Sequence, residues 1–159
     1  AASDVYKRQI YKRAFMEIAQ NISPDFSGLR ILLADDNFLS REITKAILEE
    51  TGFTVDTVEN GQEEVEQLCA PKPYRYDLIL SDVQMPVMNG HDAARAIRAL
   101  ENPELASIPI VALSADYYEK DIQAALDCGM NAHLAKPLDI HALTKTLTTV
   151  LASCATARY

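Results

Sequence analysis

From residue 29 onward, short apolar runs alternate with longer segments of helical period. That alternation is the strongest constraint on the fold. It demands a parallel sheet with helices packed on both faces. Arg30–Ala34, Phe53–Val58, Asp77–Ser81, Ile110–Leu113 and Ala132–Ala135 read as five strands. Five helices are predicted between and after them. Residues 38–51 turn Leu39, Ile43, Ala46 and Ile47 to one side, and residues 61–69 turn Val65, Leu68 and Cys69 inward. Residues 90–100 carry Ala94, Ile97 and Leu100, and residues 117–128 carry Ile122, Ala125 and Leu126. Residues 139–151 carry Ile140, Leu143, Leu147 and Leu151. Gly52 and Gly129 stop two of these helices by supplying a left-handed C-terminal residue. The expected fold class is α/β, with a doubly wound five-stranded parallel sheet. In such sheets ligands bind beyond the carboxyl ends of the strands, near the topological switch point.

The 159 residues suffice for one domain with a little to spare. Residues 29–151 account for the domain. Ser3-Asp4-Val5-Tyr6-Lys7-Arg8-Gln9 matches one translated frame of a widely used sequencing-library adapter, so residues 1–9 are read as an adapter-derived artefact. Residues 10–28 are expected to form a linker or connector helix, with Tyr11, Phe15, Ile18 and Ile22 on one face. Pro24-Asp25-Phe26-Ser27-Gly28 is a breaker cluster that closes it. Residues 152–159 are expected to be a C-terminal tail, with no DNA-binding output domain after them.

Composition excludes several functions. With 15 Lys+Arg against 23 Asp+Glu the net charge is −8, which argues against holding nucleic acid through its phosphates. No apolar run approaches the ~18 residues of a membrane span, and no secretory signal pattern is present. Cys69, Cys128 and Cys154 have no metal-ligand spacing and read as reduced thiols of a cytoplasmic protein.

The strand ends carry the chemistry. Asp35-Asp36-Asn37 follows the first strand, Asp82 the third, Ser114 the fourth, and Lys136-Pro137 the fifth. Singly, each has an ordinary explanation as a cap, a turn residue or a solvated side chain. Together they lie at one edge of one sheet. Two unit charges ~4 Å apart repel by roughly 4 kcal/mol at an effective dielectric near 20, so three converging carboxylates call for a cation. An all-oxygen cluster prefers a hard one, Mg2+ first. Lys136 offsets further charge and Ser114 offers a hydroxyl donor. Such a site suits phosphoryl transfer through an acyl phosphate. Asp82, on the central strand, is the best candidate nucleophile.

These segments resemble the receiver domain of two-component signalling response regulators. The resemblance rests on Ile31 to Asn37, Asp77 to Gly90, Ile108 to Ala115 and Ala132 to Leu138, and spans about residues 29 to 151. It implies the flavodoxin-like (β/α)5 fold. It also implies that Asp82 is the phosphoacceptor, supplied by a sensor histidine kinase or a histidine phosphotransfer protein. Asp36 would bind Mg2+ directly, Asp35 largely through water, and the Gln84 carbonyl would be a further ligand, with Asp82 itself completing the set. Ser114 would bond the phosphoryl oxygen and Lys136 would pair with it, with Lys136-Pro137 in cis.

Receivers usually place Tyr or Phe three residues before the lysine as a switch; here that residue is His133. It reads either as a surface imidazole or as a switch that also senses protonation. Asp116, two residues past Ser114, is acidic and close to the site. His91 and His141 read as surface residues without phosphoacceptor context. The style of Asp36-Asn37, Gln84-Met85-Pro86 and Gly129-Met130-Asn131 is most like receivers of hybrid sensor histidine kinases, which is the expected parent. On this reading the chain is a self-phosphorylating signalling module and not an enzyme in its own right. The alternatives are a metal-dependent aspartyl-phosphate phosphatase and a catalytically silent interaction module. The phosphatase would carry a second acid where Gln84 stands.

Overall fold

The computed structural model describes residues 2–19, 25–115 and 119–157. In chain order the elements are α1 (Ala2–Ala19), β1 (Arg30–Ala34), α2 (Phe38–Glu50), β2 (Thr54–Val58), α3 (Gly61–Cys69), β3 (Leu78–Asp82), α4 (Gly90–Arg98), α5 (Pro103–Ala106), β4 (Ile110–Ser114), α6 (Glu119–Asp127), β5 (Ala132–Ala135) and α7 (Ile140–Ala157). The five strands form one parallel sheet in the order β2-β1-β3-β4-β5. The strand order reverses beside β1 and β3, which is where such folds open a ligand crevice.

Successive strand residues point to opposite faces, so each strand feeds two cores. Ile31, Leu33, Leu80 and Val111 face one layer with Leu48 of α2 and Leu143 and Leu147 of α7. Leu32, Ile79, Ile110 and Ala112 face the other with Leu68 of α3, Ala94 and Ile97 of α4, and Ala125 of α6. Gly52 follows the Thr51 cap of α2 at φ +107, as its place after a helix predicts. Arg98, at the end of α4, donates to the carbonyls of Ala106, Ile108 and Gly129 and to Asn131 Oδ1, tying the α5–β4 and α6–β5 connections together.

The structure departs from the sequence expectation in the orientation of several helices. α2 buries Arg41, Thr44 and Leu48, and leaves Leu39 and Ile43 exposed. Cys69, Leu126 and Ile140 are exposed, not inward. Each belongs to an apolar stripe wider than the surface its helix contacts, so periodicity alone overestimates the buried face. α1 begins at Ala2 and packs through Ile10, Tyr11 and Ala14, leaving Phe15 exposed; Ile22 lies outside the described residues. Lys7 of α1 pairs with Asp77, ahead of β3. α7 runs to Ala157, through residues expected to be tail. The short α5, opened by the Asn102 cap and Pro103, was not predicted. None of the helices searched among the described residues is long and apolar enough to cross a membrane.

Candidate active site

Four strand ends deliver the site. β1 ends before Asp35, β3 at Asp82, β4 at Ser114, and β5 just before Lys136. An open cleft of about 750 Å³ lies over them, lined by Asp36, Asp82, Gln84, Ser114 and Lys136 among others. Asp35, Asp36 and Asp82 each offer one carboxylate oxygen, and the three oxygens lie within 4.8 Å of one another. Lys136 Nζ sits 2.9 Å from Asp82 Oδ2 and 3.1 Å from Asp35 Oδ2. The Lys136–Pro137 peptide is cis, as expected.

The loops are built to hold these groups still. Asn37 accepts from Ser40 N–H and caps α2, which sets the direction of the turn that carries Asp35 and Asp36. Gly90 packs directly on the phosphoacceptor candidate: a Cβ there would fall 2.3 Å from the Asp82 carbonyl oxygen. Val87, in the loop between, holds φ +68 and is 83% exposed. A β-branched residue at such an angle stores roughly 1–3 kcal/mol of strain, a signature of functional loops.

The carboxyls are driven apart electrostatically. Burial acts to raise Asp35, but hydrogen bonds from Ser40 Oγ at 2.6 Å, from Asn37 N–H at 3.0 Å and from Lys136 outweigh it and hold Asp35 below its ordinary value. Burial raises Asp82, and the nearby Asp35 charge adds to it, while Lys136 opposes both. Burial also works against the Lys136 charge, yet the two carboxylates hold its pKa above normal. The site therefore presents one firmly anionic carboxylate and one more basic carboxylate that faces the cleft. A basic carboxylate beside an ammonium group and a hydroxyl can attack phosphorus and see the new charge neutralised. The donor set is all oxygen, which fits a hard divalent cation and not a soft one.

The structure brings together all of the residues singled out at the strand ends. Gln84 lines the cleft and donates its N–H to Asp82 Oδ1 at 3.3 Å. Ser114 is buried at the end of β4 and lines the cleft. His133 does not line it. It lies on β5, and both ring nitrogens are shielded from solvent, so the surface reading is corrected. Burial lowers its pKa, and the Asp121 charge on α6 partly restores it. His91 is likewise half-buried, and burial lowers it, whereas His141 is exposed as expected. Asp116 lies outside the described residues. Reasoning from sequence missed Ser40, Arg41 and the buried Glu64. The first two lie on a helix whose polar residues carry no signal of facing inward.

The response regulator receiver domain family matches residues 31–148. The chain is 43% identical over 118 residues to hybrid signal transduction histidine kinase B of Dictyostelium discoideum, covering 69% of this chain and 6% of the kinase. It is 37% identical over 127 residues to the peroxide stress-activated histidine kinase mak1 of Schizosaccharomyces pombe, covering 79% of this chain and 8% of mak1. The chain therefore spans less than a tenth of the length of either kinase. Among solved structures it resembles the receiver domain of sensor histidine kinase PA1611 from Pseudomonas aeruginosa, which holds a magnesium ion in its active-site cleft (TM-score 0.69, 36% identity, 79% and 98% of the two chains covered). It also resembles the receiver domain of Saccharomyces cerevisiae Ssk1, solved with the histidine phosphotransfer protein Ypd1 (TM-score 0.71, 32% identity, 82% and 93% covered). Sequence, sheet order and strand-end chemistry agree, and the chain belongs to the response regulator receiver domains of two-component signalling.

Proposed function

We propose that Asp82 accepts a phosphoryl group from a phosphohistidine on a sensor histidine kinase or a histidine phosphotransfer protein. The observation that carries this reading is the cleft-facing Asp82 carboxylate, held 2.9 Å from the Lys136 ammonium within a three-carboxylate cluster. An Asp82 oxygen attacks phosphorus as the P–N bond to the donor imidazole breaks. The electron pair leaves on that imidazole nitrogen, which then takes up a proton. Lys136 and the Ser114 hydroxyl steady the phosphoryl oxygens. Asp35, Asp36, Asp82 and the Gln84 carbonyl would hold Mg2+, which supplies charge neutralisation on those oxygens when bound. The likeness to hybrid kinases extends the reading to a parent of that kind, with the acyl phosphate as the transmitted signal.

Intact mass after incubation with Mg2+ and a small phosphodonor tests the chemistry. One added phosphoryl group is expected, absent in Asp82→Asn and absent without Mg2+. No adduct together with no Mg2+ binding would leave only an interaction module on a receiver fold.

The surface beside the cleft supports a protein donor. Phe38, Leu39, Ile43 and Val87 are 69%, 67%, 53% and 83% exposed. A groove of about 440 Å³ lined by Leu39, Ile43, Ile47, Pro137 and Leu138 adjoins the cleft through Asn37 and Lys136. Exposed apolar patches of this kind mark docking surfaces. The Leu39→Glu, Ile43→Glu double variant should slow transfer from a phosphorylated histidine phosphotransfer protein by roughly ten-fold or more, the scale of a lost hot spot. Uptake from the small phosphodonor should stay unchanged. Equal slowing with both donors would count against this docking face.

A further inference from the structure

We infer that Arg41 is a positioning residue of the divalent-cation site, acting through the backbone of Asp35. The inference rests on the Mg2+ reading above. Arg41 belongs to α2, yet it is only 7% exposed while the apolar Leu39 and Ile43 on the same helix face solvent. Burying a guanidinium is costly unless it is firmly bonded, so its partners say what it is for. Its Nη1 donates to the Asp35 carbonyl oxygen at 2.8 Å, a short bond to a fully buried residue. Its Nη2 reaches Glu59 Oε1 at 3.4 Å, but that side chain is 65% exposed, and such pairs contribute little. Phe38 packs its ring 5.6 Å from the guanidinium carbon and shields it on one side.

Asp35 is thereby held at every polar group. Its N–H donates to the Val58 carbonyl, its carbonyl accepts from Arg41, and its carboxylate accepts from Asn37 N–H, Ser40 Oγ and Lys136. Ser40 and Arg41 are consecutive residues in the first turns of α2, and they grip the two ends of the same aspartate. Asp36 follows directly, so the Arg41 bond also sets where the exposed member of the acidic pair is presented. Groups one layer behind metal ligands fix ligand geometry, and their loss commonly weakens metal binding by about 10–100-fold.

Two physical roles predict opposite outcomes. If Arg41 positions the carboxylates, removing it weakens Mg2+ binding. If it only balances charge, removing a cation from beside three carboxylates strengthens Mg2+ binding. The experiment is calorimetric Mg2+ titration of the unaltered chain, Arg41→Met, Arg41→Lys and Glu59→Gln. The expected result is affinity weakened about ten-fold or more in Arg41→Met, in line with lost ligand positioning. Arg41→Lys, which keeps a donor for the Asp35 carbonyl, should recover most of that loss, and Glu59→Gln should bind like the unaltered chain. Unchanged or tighter binding by Arg41→Met overturns the inference, as does equal weakening in the Met and Lys variants. If Arg41→Met is unfolded without Mg2+, its folding midpoint against Mg2+ concentration reports the same affinity by linkage. An unaltered chain that binds no Mg2+ overturns the underlying reading and this inference with it. A chain that binds while Arg41→Met binds equally overturns the inference alone.

Discussion

Glu64→Gln is expected to raise the stability of the folded domain by about 3 kcal/mol near pH 8 and to leave it nearly unchanged near pH 4. Glu64 points inward from α3 and is fully buried. Neither carboxylate oxygen has a well-formed hydrogen bond. Burial pushes its pKa up to about 7 from 4.5, and the neighbouring Ser81 hydroxyl only partly opposes that. The sign follows from linkage. Below about pH 4.5 the acid is protonated in both the folded and unfolded chain and carries no charge penalty. As pH rises to about 7 the unfolded chain ionises first, so stability falls. Above about pH 7 both forms are ionised, and the full penalty persists. Glutamine keeps the shape and the neutral polarity of the protonated acid, so it escapes the penalty. Urea unfolding of both proteins across this range checks it, because their difference cancels every other titrating group. A difference that stays flat with pH would show that Glu64 ionises as easily folded as unfolded.

Lys136→Met is expected to cost about 2–3 kcal/mol of stability in the absence of Mg2+ and much less at saturating Mg2+. The lysine is the counter-charge for a fully buried Asp35 and a nearly buried Asp82. Removing it leaves two close carboxylates uncompensated. A divalent cation bound among the same oxygens restores the missing positive charge and stabilises by mass action. Phosphoryl uptake should nevertheless fall, because under the proposed function the ammonium group would also neutralise the transferred oxygens. Thermal melts with and without Mg2+, beside the mass assay, test both halves. A loss of stability that Mg2+ does not relieve would mean that Lys136 supports the fold by packing and not by charge.

Much of the fold was legible because strand and helix periods are local. The run Ile31-Leu32-Leu33-Ala34 has no polar face, so it had to be buried on both sides, and it is. The strand-end residues were legible for a related reason. A parallel α/β sheet sends every strand's carboxyl end to one edge. Recognising five strands therefore places Asp35, Asp82, Ser114 and Lys136 together without any knowledge of distances. The receiver family itself was readable from the same segments.

What remained hidden depends on contacts between residues far apart in the chain. Leu39 and Ile43 form an apolar stripe that looks like a core face, because periodicity alone does not distinguish an exposed apolar stripe from a buried one. The rotation of α2 was decided instead by Leu48 joining strand and α7 residues distant in sequence, with the local bonds of Ser40 and Arg41 to Asp35 consistent with that rotation. Glu64 reads as one of several acids in a helix; only the packing of α3 shows that water cannot reach it. His133 sits in a switch position by sequence, but its shielding arises from the way the elements around β5 close over it. The charge balance of the site rests on a lysine 101 residues from Asp35. Local patterning names the chemistry that reaches the sheet edge. Burial and electrostatics, which set how basic each carboxyl is and which helix face stays exposed, exist only once distant segments have met.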